Sequence, residues 1–127
     1  MIEDRISVMV MTHIVNVTTD PYLENTMLFD TIQSSHDKLG LGGAQYYLYI
    51  DKVMEDNYPE LFKQYYDNIQ NRLTKEFNHI NVDIVEDRQE LMRGNWWHMI
   101  DNCDTPYFLF LEHDWEFTED IPTEDIL

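Results

Sequence analysis

Apolar and polar positions along this chain fall into two alternating rhythms. Ile6-Ser7-Val8-Met9-Val10-Met11-Thr12 is a nearly unbroken apolar run, short enough for a strand and too apolar for one with a face open to water. It predicts a central strand over 6–12. The polar stretch to Asp20 reads as a loop. Asp20-Pro21 then has the form of a helix start, with Asp as N-cap, Pro at the first helical position and Glu24 where the dipole favours an acid. The pairs Leu23/Met27 and Leu28/Ile32 carry that helix to about Ser35. Gly40, Gly42 and Gly43 break the chain; they lack the spacing of a phosphate-binding loop and read as turn residues.

The rhythm then repeats. Ala44-Gln45-Tyr46-Tyr47-Leu48-Tyr49-Ile50-Asp51 predicts a second strand, rich in aromatic residues and ending on an acid. Asn57-Tyr58-Pro59-Glu60 opens a second helix, along which Phe62, Tyr66, Ile69, Leu73 and Phe77 form one apolar stripe. Val82-Asp83-Ile84-Val85 predicts a short third strand. A third helix is expected from Arg88 to about Cys103, with Met92, Trp96, Met99 and Cys103 on one side. After Pro106, the five residues Tyr107-Phe108-Leu109-Phe110-Leu111 run without polar alternation into Glu112-His113-Asp114-Trp115, which predicts a fourth strand buried on both faces. Strands alternating with helices imply an α/β fold in three layers: an open, mostly parallel sheet with helices on both faces.

In such sheets ligands bind outside the carboxyl ends of the strands, which gives the acids there a meaning. Glu112 and Asp114 project to the same side if the chain stays extended, and His113 to the other. Their oxygens suit Mg²⁺ or Mn²⁺, with water and substrate phosphate completing the shell; the bland alternative is a pair of solvated acids. Asp51, at the end of the second strand, could accept a hydrogen bond from a ribose or base, or simply end the strand. Asn95 could orient a neighbouring loop or a metal site, or be a capping residue. His13, His98 and His113 lack the spacing of a zinc site. Trp96, Trp97 and Trp115 could stack on a sugar or base, although burial is the commoner fate of tryptophan.

Composition narrows the chemistry. The 127 residues carry 8 Lys and Arg against 25 Asp and Glu, a net charge of −17. One domain is expected. Binding nucleic acid through its phosphates needs clustered cations, and attachment to an anionic membrane does too, so both are disfavoured. A phosphate-bearing ligand would need a metal cation between it and these acids. Cys103 is the sole cysteine, which excludes an intrachain disulfide and reads as a structural thiol. The start of the chain does not look like a secretory signal, no apolar run is as long as a membrane span, and a cytoplasmic location is the expectation. No Gly-x-Ser-x-Gly occurs, and Ser7, Ser34 and Ser35 lie in no nucleophile elbow.

These residues together resemble the N-terminal, donor-binding half of a GT-A-type glycosyltransferase, the nucleotide-diphospho-sugar transferase fold. The resemblance spans Ile6 to Phe117. It rests on the strand ending near Thr12, the strand ending on Asp51, and Arg93-Gly94-Asn95 leading to Tyr107-Phe108-Leu109-Phe110-Leu111-Glu112-His113-Asp114. It implies that Glu112-His113-Asp114 is an ExD variant of the family's DxD motif. Asp114 would then be the direct metal ligand, and Glu112 would reach toward the ribose or metal. Thr12, Asp51 and Asn95 would line the nucleotide site. The implied cofactor is Mn²⁺ or Mg²⁺, the donor a UDP- or GDP-sugar, and the reaction transfer of the sugar to an acceptor hydroxyl of unknown identity. Residues 1–117 would form the nucleotide-sugar-binding domain and 118–127 an acidic tail. The family continues past this motif with its acceptor half, so the chain is expected to be truncated relative to it, and no general base is assigned. Two other expectations stand beside this one. The chain is a degenerate or non-catalytic binding domain that completes its sheet by association, a homo-oligomer included; or the same carboxylates serve a metal-dependent phosphohydrolase.

Overall fold

The computed structural model describes residues 2–13, 21–41, 43–86, 89 and 91–126. Four strands, β1 (Ile6–Thr12), β2 (Gln45–Ile50), β3 (Asn81–Ile84) and β4 (Tyr107–Glu112), form one sheet in the order β3-β2-β1-β4. Every neighbouring pair is parallel. Between them lie α1 (Pro21–Leu39), the short α2 (Lys52–Asn57), α3 (Pro59–Lys75) and α4 (Leu91–Asn102), and α5 (Thr123–Ile126) follows. The α/β alternation expected from the sequence is present, and no described helix is long and apolar enough to cross a membrane.

All seven residues of β1 are buried, as its apolar run predicts. Its even-numbered residues Val8 and Val10 join Tyr46, Leu48 and Ile50 of β2, Leu28, Phe29 and Ile32 of α1, and Phe62, Tyr65 and Ile69 of α3 in the main core. Its odd-numbered residues Met9 and Met11 join Tyr49 and, from α4, Met99 in a smaller core on the other face. Helices therefore cover both faces, two long ones on one side and α4 alone on the other. Period-two alternation along β1 feeds both layers.

Several local expectations change. β4 is not buried on both faces. It lies at the edge of the sheet, where only Leu111 is fully buried and Tyr107 is exposed. An apolar run reports what a strand can bury; its place in the sheet decides what it does bury. In α3 Phe62 and Ile69 are buried as expected, but between them it is Tyr65 that is buried, with Tyr66 half-buried beside it, and Phe77 lies beyond the helix. In α4 the inward positions are Asn95 and Met99, while Trp96 flanks the layer, its ring edge-on to Phe108 and Phe110. The separate helix α2 was not expected. The proposed N-cap Asp20, most of the loop before it, and the helix start at Arg88 lie outside the described residues.

The chain after β4 docks along α1. Phe117 N–H donates to Ser34 Oγ at 2.9 Å, Ile121 N–H to Lys38 O at 2.8 Å and Thr123 Oγ1 to Leu39 O at 2.9 Å. The last two satisfy carbonyls that the end of a helix leaves without an intrahelical partner. Gly40, at φ 65°, supplies the left-handed turn that ends α1.

Candidate functional site

The chain runs outward from β1 to β2 and β3, then returns to the opposite side of β1 for β4. The strand order therefore reverses at the β1–β4 pair. In open α/β sheets such a reversal is where ligands bind, outside the carboxyl ends of the strands. Thr12 ends β1, and Glu112-His113-Asp114 ends β4.

The two strand ends are fastened to each other. Thr12 Oγ1 lies 2.8 Å from His113 Nδ1 and 2.5 Å from the Tyr65 hydroxyl of α3. Thr31 of α1 donates to the His113 carbonyl at 2.7 Å. The His13 and His113 rings stack with centroids 4.8 Å apart. His113 is buried, and loss of hydration pushes its imidazole down to about 4; neighbouring His13 pushes the same way, and Asp114 opposes both. A neutral imidazole is thus built into the buried junction of the two strand ends, on the opposite face of the chain from Glu112.

β4 ends at Glu112, where the chain turns: Trp115 N–H donates to Glu112 O at 3.2 Å. The extended geometry that would aim Glu112 and Asp114 in one direction therefore gives way to a turn. Glu112 is half-buried beside Met11, its register partner on β1, and Asp114 is exposed on the turn. A turn brings the first and third residues of such a triplet closer in space than an extended chain does. Among the described residues no three ligating side chains converge to hold a metal ion. Two carboxylates with water and phosphate oxygens remain a donor set that suits Mg²⁺ or Mn²⁺, which seldom occupy all-protein cages.

The remaining candidates form a second chain of contacts across the same edge. Asp51 N–H donates to Thr12 O at 3.2 Å, and its Oδ1 accepts from Val53 N–H at 2.9 Å, making it the N-cap of α2. Lys52 N–H donates to Gln89 O at 3.2 Å. Gln89 N–H donates to Asn95 Oδ1 at 3.2 Å, and Asn95 Nδ2 approaches Met11 Sδ at 3.8 Å. Asn95 thus holds the segment that follows β3 against the start of α2. Gly94 permits that approach, since a Cβ there would lie 3.1 Å from Gln89 Cβ.

Burial sorts the five candidates. Thr12 and Asn95 are fully enclosed, so their side chains hold the site together and meet no solvent. Asp51 is almost enclosed. Glu112 and Asp114 are the two that reach outward. Sequence reasoning missed Tyr65 and Thr31, which secure the strand ends; their signal was faint, because each reads as one more residue of a helix. Three surface concavities among the described residues are lined by other segments: the end of α1 with 120–125, the groove between α3 and β3, and the start of α3. Comparison with family models, characterised proteins and solved structures finds no match to this chain.

Proposed function

We propose that the chain binds a metal–nucleotide-diphospho-sugar complex at the carboxyl edge of its sheet, as the donor-binding half of a glycosyltransferase. The observation that carries this reading is the meeting of Thr12 with Glu112-His113-Asp114 where the parallel strand order reverses. Glu112 and Asp114 reach outward from that point. Asp51, oriented by the first turn of α2, is suited to accept a hydrogen bond from the ribose or base. Thr12, His113, Tyr65 and Asn95 keep the ends of β1, β2 and β4 in register beneath the ligand. Mn²⁺ or Mg²⁺, held by Glu112 and Asp114 with water and phosphate oxygens, would neutralise the diphosphate and make it a better leaving group. The sugar would pass to an acceptor hydroxyl.

Calorimetric titration of UDP, GDP and their sugar conjugates, with and without Mn²⁺, tests the reading. Binding of one nucleotide only in the presence of metal is expected. Glu112→Ala and Asp114→Ala should each abolish it with the fold intact, and undiminished affinity in both variants overturns the site. The exposed edge of β4 favours a second reading, a non-catalytic module that works by association. Metal-independent silence toward every nucleotide from a folded sample would favour that one.

A further inference from the structure

The two edges of the sheet are treated differently. β3 is four residues long and carries Asp83 at its centre, where Gln45 Nε2 donates to Asp83 Oδ2 at 3.2 Å. Short length and charge are ordinary defences against unwanted strand pairing. β4 is less defended. It is six residues long, Tyr-Phe-Leu-Phe-Leu-Glu, its single charge stands at the last position, and it has no lysine, proline or bulge.

Backbone direction follows from the parallel ladder. Tyr107 N–H bonds Arg5 O at 3.1 Å, so Tyr107, Leu109 and Leu111 turn their main-chain groups toward β1. Phe108 and Phe110 then turn theirs outward. Among the described residues no hydrogen bond takes up those outward groups. Beside them stands an apolar collar: Trp96 lies edge-on to Phe108 and Phe110, and Trp115 edge-on to Phe110. Trp115 is 45 % and Tyr107 43 % exposed, and Trp96 is exposed as well, as are Trp97 and Ile100 on the same helix. The only other exposed large apolar side chains among the described residues, Tyr58 and Ile126, belong to other segments. An apolar cluster of this kind on an otherwise acidic surface marks an interaction site.

Charge identifies the occupant. Exposed Asp101 and Asp104 lie before the start of β4, and exposed Asp114 and Glu116 after its end. Arg93 is the only Lys or Arg from residue 91 onward. A second copy of this chain pairing antiparallel along β4 would lay the Asp114–Glu116 end of one copy on the Asp101–Asp104 end of the other, acid against acid. We infer that β4 accepts an added strand from a partner protein: an extended segment with an aliphatic or aromatic centre and Lys or Arg at both ends. Main-chain bonds to Phe108 and Phe110 supply the pairing, the tryptophan collar covers the centre, and the flanking acids select the basic ends.

The test uses a short capped peptide with paired lysines at each end of an alternating valine–threonine centre. A matched peptide carries N-methyl groups on alternate central residues, which removes backbone donors and leaves the charge unchanged. Heteronuclear NMR should show saturable binding of the first peptide, with shifts and slowed amide exchange at Phe108 and Phe110, and none of the second. Asp104→Lys with Glu116→Lys, both at exposed positions, should weaken binding roughly tenfold at low ionic strength. Equal binding of the methylated peptide would reduce the effect to charge attraction and overturn the inference. So would shifts away from β4, no binding, or peptide-free dimers protected at the same two amides.

Discussion

The imidazole of His113 and the hydroxyl of Thr12, 2.8 Å apart, join the carboxyl ends of β1 and β4 at the point where the sheet reverses its order. Both groups are buried, so the contact rests on a neutral histidine, and this makes the site a source of pH dependence.

In the folded, metal-free protein the His113 imidazole titrates near 4, against 6.5 for an unperturbed imidazole. Between these values the unfolded chain binds the proton and the folded chain does not, so stability rises with pH across that window. The contribution is complete above about pH 6.5 and is lost as pH falls toward 4. The shift corresponds to roughly 3 kcal/mol. Urea denaturation at several pH values should show this slope, and His113→Gln should flatten it. A variant with the same slope as the native protein would assign the effect to other groups.

Asn95→Ala removes the acceptor of the Gln89 amide from a fully buried position. The expected cost is about 2 kcal/mol, with faster hydrogen exchange at Gln89. Unchanged exchange there would mean that Asn95 does not hold that segment.

Asp51 has two separable roles. Asp51→Asn keeps a side-chain oxygen for Val53 N–H and should leave stability within about 0.5 kcal/mol, whereas Asp51→Ala loses the cap at a cost of about 1 kcal/mol. If the carboxylate also contacts a nucleotide, both variants should bind it several-fold more weakly. Calorimetry on the two variants separates the roles.

Shortening the chain after Phe117 removes the Ile121 and Thr123 bonds to Lys38 and Leu39 and the Ile121 contact with the core. A loss of about 2 kcal/mol is expected, visible as a lower Tm with retained secondary structure. An unchanged Tm would mean that these contacts contribute nothing to stability.

What the sequence determined by itself is the local part of the structure. Apolar runs and three-to-four-residue stripes depend on near neighbours, and they located β1, β2, α1 and α3 and the alternation that makes the fold α/β. They also set His113 opposite Glu112 across β4. Only the tertiary structure decided how those elements stand together. The same five apolar residues of β4 would read alike in the middle of a sheet or at its edge, because periodicity records which faces a strand can bury and says nothing of how many neighbours it has. Tyr65 and Tyr66 differ by one position on a helix, and the rotation of α3 against the sheet chose between them. Asp51 became a helix cap because α2 begins there, and the acidic segment after Phe117 found its partners in the carbonyls at the end of α1, some 80 residues earlier in the chain. Contacts over such separations are set by packing, and no local pattern of residues encodes them.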